Sequence, residues 1–391
     1  MKQRKTAWIL IAIALAAFVS RSPLTGVGVL QEPIRQGVGL NYSAMGLLTT
    51  TPVVMYILSA LGIGRLKTRF GLPMVMAAGL AVLSVGLTLR SWCGAVGLIL
   101  GTACIGVGIS AINVLIPAAI KEYFPQRVGM VTGFYSICMY LASATAAATA
   151  VPLYNQSGSW KLTLWIWLPI AVAGLLVWFS RKSSGERGGQ TASMNLRALL
   201  RRPVTWMLAL MMGTQSVVFY GVTAWLPAIL TDQGFSADMA GRFTSVYQLG
   251  GILGSVLCTA ALARLKKQGI FCFLIGAGFF VEVAILAFGQ DTILLLVCAI
   301  LLGACCSSSL SAINCIAALR SKDAEETAGM IAVVQTAGYP LAAIAPTLMG
   351  ALFDATVSWL PALAILAVAG AAYAIGGVKA GGIRKKQEVE R

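Results

Sequence analysis

The chain has 391 residues, of which 58% are hydrophobic and only 11% charged, with a net charge of +16 and no histidine. Soluble domains carry about 25% charged residues, so a water-soluble core is excluded. The missing imidazole removes the commonest general base, proton relay and metal ligand, and no metal or cofactor is expected.

Twelve apolar blocks can be drawn: 7–30, 43–63, 72–90, 94–120, 129–152, 160–180, 204–230, 238–262, 270–288, 291–319, 327–352 and 357–378. Each is close to the roughly 20 apolar residues that cross a bilayer as a helix. The first reads on into Arg21, Pro23, Gly26 and Gly28. A guanidinium at the centre of a spanning helix costs about 2.5–3.5 kcal/mol on insertion scales, so it should face protein, water or a solute rather than lipid. Arg21 is therefore the leading site candidate. Glu32, next to Pro33 where this block ends, is a candidate for coupling or gating.

The polar gaps are short except residues 181–203, a basic Gly/Ser-containing stretch that divides the blocks six and six. The expected domains are 1–180, the linker 181–203, and 204–391 with a charged tail. With the N-terminus taken as cytoplasmic and sides alternating at each span, 24 Lys and Arg fall on the cytoplasmic side. Only Arg35, Arg90, Lys161 and Arg242 fall outside. That is the positive-inside pattern, and it accounts for the basic charge without a nucleic-acid partner. Both termini are expected in the cytoplasm of a bacterial inner-membrane protein.

The halves repeat. Ser110-Ala-Ile-Asn113 returns as Ser311-Ala-Ile-Asn314 after 201 residues, and Gly129-Met130 as Gly329-Met330 after 200. Gly64-Arg-Leu-Lys67 is echoed by Ala263-Arg-Leu-Lys266, and Gly26 with Gly46 by Gly221 with Gly241. Both copies start on the same side. The fold class expected is an all-α membrane protein with twelve transmembrane helices in two parallel six-helix repeats, the layout of the major facilitator superfamily.

Particular stretches carry a closer resemblance. Ser20-Arg21-Ser-Pro-Leu-Thr-Gly-Val-Gly-Val-Leu30 with Gly46-Leu-Leu-Thr-Thr-Thr-Pro52, Asn113-Val-Leu-Ile-Pro117, Gln215-Ser-Val-Val-Phe-Tyr220, Trp225-Leu-Pro227 and Gln335-Thr-Ala-Gly-Tyr339 resemble the cyanate porter family of that superfamily. Its members include bacterial transporters of cyanate and 2-nitroimidazole. The resemblance implies a secondary transporter moving a cyanate-like anion or a nitroimidazole-like heterocycle by alternating access. It places spans one, two, four, five, seven, eight, ten and eleven around a central cavity. One departure is visible: Gly64-Arg-Leu-Lys-Thr-Arg69-Phe-Gly71 lacks the Asp usual in the superfamily's loop between spans two and three.

No enzyme constellation is present, and the nine cysteines, without a CxxC spacing, read as buried free thiols. The intramembrane polar side chains remain. Substrate-binding candidates are Arg21, Asn113, Tyr140, Gln215, Tyr220, Asn314, Gln335 and Tyr339, with Tyr56, Tyr247 and Gln248 as further polar positions. Amides and phenols donate hydrogen bonds and offer stacking faces, and one guanidinium makes the set cationic. Such a set suits a small, planar, anionic or dipolar solute and disfavours organic cations, which weighs against the alternative of a broad-specificity drug exporter. Glu282, inside span nine, is a second coupling or gating candidate, and Trp225 is expected as an interfacial anchor. Expected partners are the solute and membrane lipid, with a monomeric protein.

Overall fold

The structure, a computed structural model, describes residues 2–181, 199–264, 268–322 and 324–382. Most of the expected linker, the Arg-Leu-Lys echo at 265–266 and the tail from 383 lie outside the described residues. Among those described there are fourteen helices and no strands.

The first half contains α1 (Lys2–Val29), α2 (Gln31–Val38), α3 (Tyr42–Phe70), α4 (Leu72–Trp92), α5 (Gly94–Tyr123), α6 (Val128–Ser157), α7 (Trp160–Trp165) and α8 (Leu168–Phe179). The second contains α9 (Pro203–Asp232), α10 (Ala237–Arg264), α11 (Gln268–Phe288), α12 (Thr292–Arg320), α13 (Ala324–Thr356) and α14 (Leu360–Gly382). The sixth apolar block is two helices because Pro169 begins α8 within its first turn. Proline has no N–H to continue a preceding helix and fits a helical first turn. Among the described residues eleven segments are long and apolar enough to cross a membrane. Helix α10, at 28 residues, is long enough to be the twelfth. The protein is therefore a multi-pass helical membrane protein.

Helix ends follow local chemistry. The Asn41 side chain accepts from the Ala44 amide at 2.9 Å to start α3, and Asp291 accepts from Leu294 at 2.7 Å to start α12. Each satisfies a donor that an opening helix turn leaves orphaned. Gly71, at φ 82°, lets the chain pass directly from α3 into α4, a conformation a side chain would resist.

By Cα proximity the chain divides into two compact units, Met1–Gln190 with Leu230–Ser245, and Thr191–Ile229 with Val246–Arg391. In the first unit α1 packs on α6, α3 on α5, and α4 on both α5 and α8. A β-carbon added at Gly86 would stand 2.6 Å from the Gly101 carbonyl, and one at Gly106 2.6 Å from the Pro52 Cα. Small residues thus set the α4–α5 and α3–α5 crossings, as membrane helices require when hydrophobicity cannot distinguish neighbour from lipid. The core gathers Ala12, Ala16, Met76, Leu80, Ile112 and Trp178, all fully buried. The segment 230–245 joins this unit, with Gly241 against the Ala147 carbonyl and Val29.

The second unit repeats the pairing. Gly213 of α9 meets Gly338 and Leu341 of α13, and Gly250, Gly254 and Gly303 bring α10 and α12 into backbone contact. Helix α11 packs on α12 and α14. Spans one–five, two–four, three–four and three–six thus correspond to seven–eleven, eight–ten, nine–ten and nine–twelve. The repeat read from short peptides is a repeat of packing. At one end of this unit Arg202 pairs with Glu326 at 2.8 Å and donates to the Arg320 carbonyl at 2.7 Å.

Two sequence expectations are corrected. Arg90, assigned to an outer segment, is completely buried in the last turn of α4 and donates to the Pro23 carbonyl at 2.8 Å. Its long side chain reaches the carbonyl of a proline-bearing turn in α1. Trp225, expected as an interfacial anchor, is also completely buried: its indole N–H donates to the Pro346 carbonyl at 2.9 Å, and its ring lies 5.0 Å from that of Trp359.

Candidate functional site

In the first unit the polar side chains converge. Arg21 on α1 is half-buried. Tyr135 on α6 is buried and lies within electrostatic reach of Arg21 and Tyr56, beside the Ser20 hydroxyl. The Tyr135 phenol donates to Asn113 Oδ1 on α5 at 3.3 Å. The Ser110 hydroxyl, one turn before Asn113, donates to the Tyr56 carbonyl at 3.4 Å and ties α5 to α3. Thr25 donates to Ser143 at 3.2 Å and ties α1 to α6. Four helices thus deliver one guanidinium, two phenols and one amide to a single locus. Residues three and four apart stack on one helix face, which is why Ser110 and Asn113 can serve neighbouring partners.

Tyr135 was not among the sequence candidates; Tyr140 was. Five residues along a helix turn about 140°, so the two phenols leave α6 in different directions. Tyr140 is half-buried on its own face. A signal for Tyr135 existed: at the 200-residue offset it matches Gln335, itself a candidate.

The second-unit candidates are less gathered. Gln215 is buried on α9; its amide donates to Ser216 at 2.7 Å and to the Met212 sulfur at 3.5 Å. Its carbonyl accepts from Ser309 of α12 at 3.4 Å. Tyr373 of α14 donates to the Ser309 carbonyl at 3.1 Å, so Gln215 belongs to a buried network joining three helices. Tyr220 is half-buried, edge-on to Phe219 at 5.2 Å. Gln335 and Tyr339, one turn apart on α13, are half-buried, and Asn314 on α12 is exposed. Tyr247 and Gln248 are adjacent on α10 yet both about 1% exposed. Tyr247 lies beside Cys306.

The two acidic candidates differ. Glu32 sits on the short helix α2, which the sequence reading did not resolve. It accepts from Arg35 at 2.7 and 2.9 Å and from Gln36 at 2.6 Å, with Tyr42 at 3.5 Å. The Arg35 hydrogen bonds hold its carboxyl below the usual glutamate value, against a smaller opposing effect of desolvation. Its lone pairs are occupied by a local staple that fixes the turn between α1 and α3. Glu282 on α11 is 4% exposed and lies far along the chain from this cluster, against α12.

Comparison with known proteins decides the family. The profile of the Major Facilitator Superfamily matches residues 10–281 and 229–386. The chain belongs to the Major Facilitator Superfamily. Among its relatives, the 2-nitroimidazole transporter of Escherichia coli is 32% identical over 388 residues, spanning 95% of both chains. The cyanate transport protein CynX of the same organism is 29% identical over 253 residues, 64% of this chain and 66% of that one. The crystal structure of a D-xylose–proton symporter superposes with a TM-score of 0.77 at 15% identity over 96% of each chain, a likeness of fold. The cyanate-porter resemblance is matched by named relatives, and this member of the superfamily is a secondary transporter of small solutes, not an enzyme.

Proposed function

We propose that this transporter moves a small, planar, electron-rich solute, a cyanate-like anion or a nitroimidazole-like heterocycle, by alternating access across a bacterial inner membrane. Arg21 binds the solute's negative or electron-rich end, and Tyr135, Asn113 and Tyr56 hold the guanidinium and donate hydrogen bonds. In the second unit Tyr220, Asn314, Gln335 and Tyr339 are the proposed solute contacts, and Gln215 positions α9 against α12. The protein acts as a monomer with both termini cytoplasmic. Two bundles of residues 1–180 and 204–391, joined by 181–203, remain the proposed domain plan.

The observation that supports this reading is the convergence of Arg21 with two phenols and an amide from α1, α3, α5 and α6. A guanidinium offers five donors in a planar fork that matches planar acceptors. The printed names of the relatives point to solutes of that chemistry.

The test is uptake of 2-nitroimidazole and of cyanate into proteoliposomes by the wild type, Arg21→Lys and Arg21→Ala. A hydrogen bond to a charged group is worth about 1.5–3 kcal/mol, so losing a bidentate pair lowers affinity about 100-fold or more. Arg21→Ala is expected to lose transport while eluting and melting as a folded protein. Transport by Arg21→Ala at the wild-type rate would remove Arg21 from the site.

A further inference from the structure

Within the second unit, α11 and α12 border a crevice of about 280 Å³ lined by Gly278, Val281, Glu282, Leu294, Val297 and Leu301, among others. Val281, Leu294, Val297 and Leu301 are 56, 44, 46 and 50% exposed on membrane-spanning helices, so its mouth faces the bilayer. Its walls are apolar, with one carboxyl among them. Glu282 is 4% exposed, its Cys305 neighbour hydrogen-bonds one side of the carboxyl, and Oε2 has no hydrogen-bond partner. No cation stands within ion-pair distance of it among the described residues. The Cys298 thiol is spent on the Glu282 backbone carbonyl at 3.3 Å.

A carboxyl kept inside a membrane helix is costly unless something pairs with it. Here an acceptor oxygen is left over, buried in the wall of an empty apolar chamber. We propose that this crevice binds a lipophilic amine entering from the bilayer, its ammonium on the Glu282 carboxylate once that side chain turns toward the chamber, and its alkyl chain along Val281, Val297 and Leu301. Charge complementarity selects the amine over a plain lipid tail. The volume, just below the ~300–1,000 Å³ of sites for drug-sized molecules, selects a slim one. Glu282 lies about 9 Å along the helix from its Phe288 end, at ~1.5 Å per residue. That depth lets an ammonium reach it while the chain stays in hydrocarbon. The site is independent of Arg21.

The full-length protein in lipid nanodiscs is photolabelled with a diazirine-bearing decylamine, with n-decylamine or n-decanol as competitor. Label is expected between Ala277 and Leu301, with decylamine competing at a concentration at least tenfold lower than decanol, the step a charge-assisted hydrogen bond supplies. Glu282→Gln abolishes that preference, Val297→Phe lowers labelling about tenfold by filling the chamber, and Arg21→Ala leaves both unchanged. Equal competition by decanol in the wild type overturns the proposal, because the crevice then holds lipid tails only; so does label outside these two helices. That comparison needs no variant, so a Glu282→Gln protein that fails to fold leaves the test decisive.

Discussion

A β-carbon at Gly303 has nowhere to go. Built on the backbone, it overlaps the Tyr247 carbonyl of α10 and stands 3.0 Å from the Gly251 amide nitrogen. The obstruction is backbone, which cannot rotate away as a side chain end can. One turn along on α10, Gly254 abuts the Ala304 carbonyl, and Gly250 abuts Ile300, so the α10–α12 crossing rests on three glycines. Gly303→Ala must push the helices apart by more than an ångström or bend one of them. Overpacking of this kind costs about 1–3 kcal/mol. Gly133 on α6 is the contrast: nothing lies within 4 Å of its added β-carbon and its backbone is ordinary helix. There Ala should be neutral or stabilise by up to about 1 kcal/mol, the helix-propensity gain over Gly. Thermal unfolding of both variants in one detergent, followed by intrinsic fluorescence, reads the two signs side by side. A Gly303→Ala protein melting with the wild type would refute the claim that backbone contact sets this crossing. A Gly133→Ala protein losing as much as Gly303→Ala would show that glycine is needed for some reason other than space.

The other expectations are narrower. Tyr135→Phe removes the donor to Asn113 Oδ1 at 3.3 Å, a bond worth about 0.5–1.5 kcal/mol, and should raise the KM for the transported solute about 2- to 10-fold with little change in melting temperature. An unchanged KM would separate Tyr135 from the site. Arg90 has one hydrogen bond, to Pro23, and buried Nε and Nη2 atoms without partners. Arg90→Met, of similar length and uncharged, should melt no lower than the wild type, as replacements of buried charge by apolar volume often do, whereas Arg90→Ala should melt lower through the cavity it leaves. A large loss in Arg90→Met would mean that the Pro23 contact outweighs the cost of burying the guanidinium. Because the Glu32 carboxyl titrates below its unfolded value, its staple contributes stability above the unfolded pKa and loses it as pH falls through the folded one. Glu32→Gln should therefore melt lower than the wild type at pH 7, and the gap should shrink as pH falls below the unfolded glutamate value. A gap that stays constant as the pH is lowered through the acid range would contradict that linkage.

Span number, parallel repeat and superfamily layout were legible because they depend on segment length and on recurring small and polar residues. Side-chain direction was not. In a soluble helix one face is apolar, and the pattern states which side is buried. In these helices lipid and neighbouring helices both accept apolar side chains, so the period carries little, and only small or polar residues betray a contact. Gly86, Gly106 and Gly213 sit where such residues should. Large side chains gave no such sign. Trp225 and Arg90 looked like boundary residues from their place near block ends, yet both turn inward to backbone carbonyls, of Pro346 and Pro23. Both acceptors are the carbonyls of prolines within helices, and a backbone carbonyl has a second lone pair that a donor from another helix can use. The same ambiguity hid Tyr135 behind Tyr140. Only the three-dimensional arrangement shows which of the two phenols reaches the amide of Asn113, and the repeat offset explains why: Tyr135 in one copy and Gln335 in the other keep a hydrogen-bonding group at one place while changing its chemistry. Duplication followed by such divergence permits one half to carry a guanidinium where the other carries Ser216, the residue 195 positions after Arg21. The charge that defines the candidate site thus belongs to one copy of a repeated scaffold, and transferring an arginine to position 216 would not recreate it, because Ser216 is enclosed at 1% exposure with the Gln215 amide donating to it.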